Sequence, residues 1–175
     1  ILYTVFNELA KAHDDIELDV YSSFKLYGWE QRDEPFKELF KALEDHSRIN
    51  YHGAVSNDEV REALKKADIF AYPSTWQETS CLSLIEAMSA SCLCLHSSLA
   101  ALPETSMLGT YMYEYSEVPN EHATKFYHNL NGLINGYKRN RETLTSLAKY
   151  KKPLVDSVYG IEKFKQVWEA FLKTC

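Results

Sequence analysis

The 175-residue sequence lacks a basic excess: 19 lysines and arginines face 25 aspartates and glutamates, for a formal charge of −6. With a pI near 5.5, this excludes a sequence-independent electrostatic grip on nucleic acid, which needs a basic face. A local basic patch in RETLTSLAKYKK stays open. No run approaches the roughly 18 to 20 apolar residues of a membrane-spanning helix, and the longest apolar stretches are of strand length. Cysteine is scarce. The four present, Cys81, Cys92, Cys94 and Cys175, have no paired C-x2-C spacing, so no zinc or other metal site is expected. They read as buried reduced thiols, which points to a reducing, cytoplasmic compartment. The sequence is also not poor in core-forming residues. At 45% hydrophobic and 13% aromatic content it is neither disordered nor collagenous, and one domain over residues 1–175 is the expectation. It begins without methionine, directly in a helical pattern (ILYTVFNELAKAH) that is not of signal-peptide type. The expectation is a piece of a longer chain.

Hydrophobic periodicity gives the element order. Leu2, Val5, Phe6 and Leu9 recur at the helix period, and Ile16, Leu18 and Val20 alternate with acidic residues as in a strand. The loop LYGWEQRDEP leads to a helix opened by Pro35, with Phe36, Leu39, Phe40 and Leu43 on one face. RINYHG reads as a short strand stopped by Gly53. Ser56 or Asn57 then caps a helix whose Val60, Ala63, Leu64 and Ala67 face inward. The strand DIFAYP, the loop STWQE, the helix SCLSLIEAMSAS and the strand CLCLHS follow. After them come a helical turn, a strand-like GTYMYEYS, and helices over PNEHATKFYHNLNGLINGYKR, RETLTSLAKYKK and YGIEKFKQVWEAFLK. This is the pattern of βα repeats: an α/β, Rossmann-like parallel sheet flanked by helices.

In such a sheet the loops leaving the carboxyl ends of the strands share one edge, and ligands bind there. The longest of them, YPSTWQETS, enters a helix near Ser80, whose unpaired N–H groups and dipole suit an anion such as phosphate. Glu78 precedes that helix, either as a cap on its dipole or as a ligand group. Glu86 lies within it among Leu82, Leu84, Ile85 and Met88, either exposed or placed to reach back toward the ligand edge. Two carboxylates beside a phosphate-binding helix end fit a phosphorylated, polyhydroxylated ligand, because carboxylates accept charge-assisted hydrogen bonds from sugar hydroxyls. Spacing alone does not single the pair out, since Glu30 and Glu38 are equally far apart.

The segment from His52 to Glu104 (HGAVSNDEVREALKKADIFAYPSTWQETSCLSLIEAMSASCLCLHSSLAALPE) resembles the carboxyl-terminal, donor-binding half of the retaining family-4 glycosyltransferases of the GT-B fold. The shared elements are Gly53, Val55 and Ser56, then Ala67 to Phe70, Pro73 and Ser74, Glu78, Glu86 to Met88, and Pro103 with Glu104. A looser resemblance covers nearly the whole chain, and IEKFKQVWEAF is similar to the family's closing helix, which packs back toward the other domain.

The resemblance implies a nucleotide-diphosphate sugar as donor. Glu78 would contact the donor sugar and act in catalysis, and Glu86 would contact the ribose. Backbone N–H groups from Thr79 and Ser80 through Cys81 to Leu82 would lie near the donor phosphate, and the loop at Gly53 and Val55 near the base. It further implies transfer to a hydroxyl acceptor in glycan or glycolipid synthesis with no cofactor and no obligatory metal. Acceptor binding would belong to an amino-terminal domain of the same chain, and peripheral contact with a membrane stays possible. The pattern departs from the family at two points: Thr79-Ser80-Cys81 stands where relatives usually carry Gly-Phe-Gly, and SASCLCL where they carry A-x-G-x-P-V. A donor-binding or interaction domain without catalysis, with Trp29 and Trp76 at an interface, is the competing reading.

Overall fold

The chain alternates helices with short strands that pair in parallel. Its computed structural model describes residues 1–107 and 109–174 and divides into two units, residues 1–63 and 64–175. Cys175, expected as a buried thiol, lies outside the described residues. No helix of the described residues is long and apolar enough to cross a membrane.

In the first unit, α1 (Leu2–Ala12) buries Val5, Phe6, Leu9 and Ala10, the inward stripe expected from their spacing. Its carboxyl end is closed by Arg48, whose guanidinium donates to the carbonyl oxygens of Ala10 and His13, so a cation meets the negative end of the helix dipole. β1 (Leu18–Val20) pairs in parallel with β2 (Ile49–Tyr51), setting Leu18 opposite Ile49 and Val20 opposite Tyr51. Phe6, Ala10, Leu43 and Ile49 form the core under this pair.

The segment between the strands differs from its sequence reading. Instead of a loop followed by a proline-opened helix, it folds as two 3-10 turns, Phe24–Tyr27 and Glu30–Phe36, and Pro35 falls in the second. Asp33 organises both turns by accepting from the Ser23 hydroxyl at 2.6 Å and the Phe24 amide at 2.9 Å. α2 (Lys37–Glu44) starts only after them and buries Leu43, while Phe36 and Leu39 stay exposed. α3 (Asn57–Leu64) is capped by Ser56. Its hydroxyl accepts from the Glu59 amide at 3.3 Å while the Glu59 carboxylate accepts from the Ser56 amide at 3.0 Å, a reciprocal capping box. Ala67 lies beyond the end of α3 and is exposed, not inward-facing.

In the second unit, β3 (Ile69–Tyr72), β4 (Leu93–Ser97) and β5 (Tyr111–Tyr113) form a parallel sheet in that order. Every residue of the central strand β4 is buried. Coverage of both faces is why CLCLHS reads as a continuous apolar run rather than an alternating one. α4 (Leu82–Ser89) joins β3 to β4, and the short α5 (Leu102–Ser106) joins β4 to β5. α6 (Pro119–Arg139) buries His122, Phe126, Leu130, Leu133 and Ile134 along one face.

α7 (Arg141–Tyr159) is longer than its sequence suggested and continues through Pro153. It packs on α4, where the Ser89 hydroxyl donates to Asp156 at 2.6 Å and Lys152 pairs with the same carboxylate. Tertiary contact of this kind offsets the backbone hydrogen bond lost at a proline inside a helix. α8 (Ile161–Leu172) follows and buries none of its residues.

α4 ends in a left-handed residue that is not glycine. Ser91 has φ 68°, its amide bonds to the Met88 carbonyl and the Cys92 amide to that of Ala87, both at 3.0 Å. This is a Schellman termination, which usually carries glycine at the left-handed position.

Candidate functional site

The carboxyl end of β3 delivers the chain through Pro73 to Cys81 into α4, and this passage carries most of the residues picked out from the sequence. Ser74 shapes the turn: its hydroxyl accepts from the Trp76 amide at 3.1 Å, which leaves the Trp76 indole 74% exposed. Glu78 comes next, half-buried and held at two points. Its Oε1 accepts from the Tyr72 hydroxyl at 2.7 Å, and its main-chain oxygen accepts from the Ala101 amide at 3.2 Å. The first bond ties it to β3 and the second to the turn that enters α5.

Burial and the neighbouring carboxylate both push the Tyr72 phenol far above its ordinary range, so it remains a hydrogen-bond donor at any working pH. Thr79 and Ser80 are exposed. Cys81 is the N-cap of α4 and is 2% exposed, with no capping bond from its side chain; burial is the main cause that raises its thiol pKa. The helix therefore begins at Leu82, two residues later than the sequence suggested, and Leu82 itself is 72% exposed. The amides at its start have no partner within the helix, as at any helix N-terminus. Glu86 is half-buried in the second turn of α4.

Glu78 to Leu82 and Glu86 thus share one strand, loop and helix passage of the second unit. Gly53 and Val55 belong to the first unit, after β2. Gly53 has φ 62°, while a Cβ there would meet only the Tyr51 ring at about 3.9 Å, so conformation rather than space calls for glycine. Beside it the His52 Nε2 lies 2.8 Å from Asp19 Oδ1, and the His52 ring stacks on Tyr21 at 4.4 Å. Neither Asp19 nor Tyr21 stood out in the sequence, since their register across β1 and β2 shows only once the strands pair.

Tyr72 also escaped notice because it closes a strand that reads as uniformly apolar. Its available signal was a polar-tipped ring at the last strand position, where side chains meet the ligand edge. Of the histidines, His96 is a buried strand residue, His52 is exposed just past the end of β2, and His13 and His122 are buried outside strands. A cavity of about 190 Å³, lined by Met88, Cys94, Leu154 and Val155 among others, lies against α7 and touches none of the site residues named above. Among the described residues no group of three or more histidines, cysteines or carboxylates is set to hold a metal ion.

A parallel α/β sheet with a long loop and a helix N-terminus at its carboxyl edge defines a class of ligand-binding domain. The family model described as "Glycosyl transferases group 1" matches residues 1–110, and the chain belongs to that family. The fold is the Rossmann-like α/β fold of the carboxyl-terminal half of a GT-B glycosyltransferase. A solved relative in shape is the pneumococcal O-GlcNAc transferase GtfA in complex with UDP and GlcNAc. It has a TM-score of 0.71 and 17% identity, over 98% of this chain and 32% of that one. The chain therefore spans about a third of the length of that protein, and the likeness is one of fold. Among curated proteins none matches the chain.

Proposed function

We propose that the chain is the donor-binding half of a retaining glycosyltransferase of the family-4 type. It would take a nucleotide-diphosphate sugar at the carboxyl edge of its three-stranded sheet, and the whole protein would pass the sugar to a hydroxyl acceptor in glycan or glycolipid synthesis. The observation that carries this reading is the passage from β3 into α4. It sets the Glu78 carboxylate beside a helix N-terminus, with Glu86 on that same helix, inside the region matched by the family. The N–H groups opening α4 and its dipole suit the donor diphosphate and the charge that grows on it as the glycosidic bond breaks. In this reading Glu78 holds the sugar and Glu86 the ribose, both from the second unit. Charge stabilisation by the helix and by cationic side chains, with no obligatory metal, is the chemistry this reading requires.

The acceptor belongs to another domain of the same protein. Consistent with such a partner, Ile161, Phe164, Val167, Trp168 and Phe171 leave an exposed apolar stripe along α8, and clustered exposed apolar side chains mark interaction surfaces more than scattered ones do. Isothermal titration calorimetry with UDP, GDP and ADP tests the reading. One of the three should bind, and Glu86→Gln should weaken it by about tenfold, the scale of one charge-assisted hydrogen bond. Absence of binding to all three by the full-length protein would refute a donor site. Binding without sugar transfer by that protein would favour a nucleotide-binding domain that does not catalyse.

A further inference from the structure

We propose that Tyr72 is a positioning residue for Glu78, fixing one carboxylate oxygen so that the other is presented to a hydroxyl of the donor sugar. This rests on the donor-site reading above and assigns a role to a residue outside it.

Tyr72 is the last residue of β3, and its ring stacks on Phe70 at 5.6 Å and 17°. The hydroxyl therefore sits on a strand rather than on a mobile loop. It donates to Glu78 Oε1 at 2.7 Å, while the Glu78 main chain is held separately by the Ala101 amide. Two anchors on different atoms, from two different elements, restrict the torsions of a side chain that would otherwise swing in its loop. Glu78 Oε2 has no partner among the described residues, and no lysine, arginine or histidine there pairs with this carboxylate.

The chemistry follows from this arrangement. A carboxylate held by a neutral donor keeps its full charge, whereas one paired to a cation spends much of its accepting capacity on that partner. The free oxygen can only accept, so the ligand group it meets must be a hydroxyl or an amide N–H, as on a sugar, and not a phosphate oxygen. A phenol placed in this way acts on the sugar alone, which separates it from the groups that hold the nucleotide.

The separation gives the test. Calorimetry on the full-length protein compares UDP, GDP and ADP with UDP-glucose, GDP-glucose and ADP-glucose, for the wild type, Tyr72→Phe, Glu78→Gln and the double variant. Tyr72→Phe keeps the ring and its packing. It should leave affinity for the preferred nucleotide unchanged and weaken the matching nucleotide-glucose about threefold to tenfold, the net range of one ordinary hydrogen bond, because the Glu78 contact with the sugar is loosened and not removed. Added to Glu78→Gln it should cost nothing further, because both changes disable one unit. In the proton NMR spectrum a slowly exchanging Tyr72 hydroxyl signal, absent from Tyr72→Phe, should move upfield in Glu78→Gln. Equal losses for nucleotide and nucleotide-glucose, additive losses in the double variant, or a hydroxyl signal indifferent to Glu78→Gln would each overturn the positioning role. A wild type that binds none of the six compounds fails differently: it removes the donor site itself, and the positioning role with it.

Discussion

Ser91→Gly should stabilise the protein, and the structure sets the size of the gain. Ser91 occupies the left-handed region at φ 68° and closes α4 through the Met88 and Ala87 carbonyls. A side chain in that conformation costs roughly 1–2 kcal/mol from the clash between Cβ and the carbonyl oxygen. Its hydroxyl makes no hydrogen bond among the described residues, so removing it forfeits none. Glycine widens the unfolded ensemble, which offsets about 0.4–1 kcal/mol of the relief. The net expectation is about 0.5–1 kcal/mol, or about 1–4 °C in the melting temperature of a chain this long. Urea unfolding followed by far-UV circular dichroism measures it as a higher midpoint at unchanged slope. Ser91→Val should move the midpoint the other way, because a β-branched residue fits the left-handed region worst. A midpoint unchanged or lowered by Ser91→Gly would refute the argument that backbone conformation sets the cost at this position. Ser91 is at the end of α4 away from Glu78, so nucleotide binding should be untouched.

Ser56→Ala removes the reciprocal cap on α3 and should cost about 1 kcal/mol in the same urea experiment; a loss under a few tenths would show that Glu59 makes no such box in solution. Gly160→Ala should destabilise by about 1–3 kcal/mol, because a Cβ there overlaps the Asp156 carbonyl oxygen at the junction of α7 and α8, and an unchanged midpoint would mean that the junction yields freely. Burial holds the His96 and His122 pKa values below the ordinary 6.5. Their contribution to stability is complete above that pH and is lost as pH falls toward their folded values, while the unfolded chain takes up protons. Stability should therefore drop below about pH 6.5 by up to about 1.4 kcal/mol per pH unit for each histidine, and His96→Gln should flatten the slope; a stability flat from pH 7.5 to 5.5 would contradict their burial. Burial raises the Cys92 thiol pKa to about 11 and the Cys94 thiol higher still. Both should resist iodoacetamide at pH 8 until the protein is unfolded, as read by peptide mass spectrometry, and prompt alkylation of either would contradict the packing around β4.

What could be read from the sequence was what repeats or what is crowded. The inward stripe of α1, the buried run of β4 and the alternation in β1 follow from solvent contact alone, which a hydrophobic pattern records directly. The turns from Phe24 to Phe36 were not legible, because the hydrogen bonds that organise them come from Asp33 to residues nine and ten positions earlier, and no period announces them. Pro153 was misleading for a related reason. Local rules stop a helix near a proline, while the contact of Asp156 with Ser89 on α4 is tertiary and overrides them. At the site, the two glutamates were legible as a motif and their surroundings were not. Tyr72 counts as apolar in any pattern, yet its hydroxyl donates to Glu78 at 2.7 Å.

The two departures from the family pattern have different physical consequences. At Ser91 a side chain replaces glycine in a left-handed residue, and the cost is a local backbone strain, with both Schellman hydrogen bonds formed. At Cys81 the side chain replaces glycine at the N-cap, where backbone φ is −88° and no strain arises. The thiol turns into the protein instead, 2% exposed. A side chain directed inward leaves the outward face of the α4 N-terminus to its own N–H groups, which is the property glycine is usually needed to supply when a backbone must approach a phosphate. Thr79 and Ser80, by contrast, remain outside, exposed beside Glu78. If the phosphate approach is preserved at Cys81 and the sugar contact at Glu78 is held by Tyr72, the residues left to distinguish this chain's donor from those of its relatives are the two hydroxyl side chains between them. A swap of Thr79 and Ser80 for the usual Gly-Phe should then change the preferred sugar while leaving the preferred base alone.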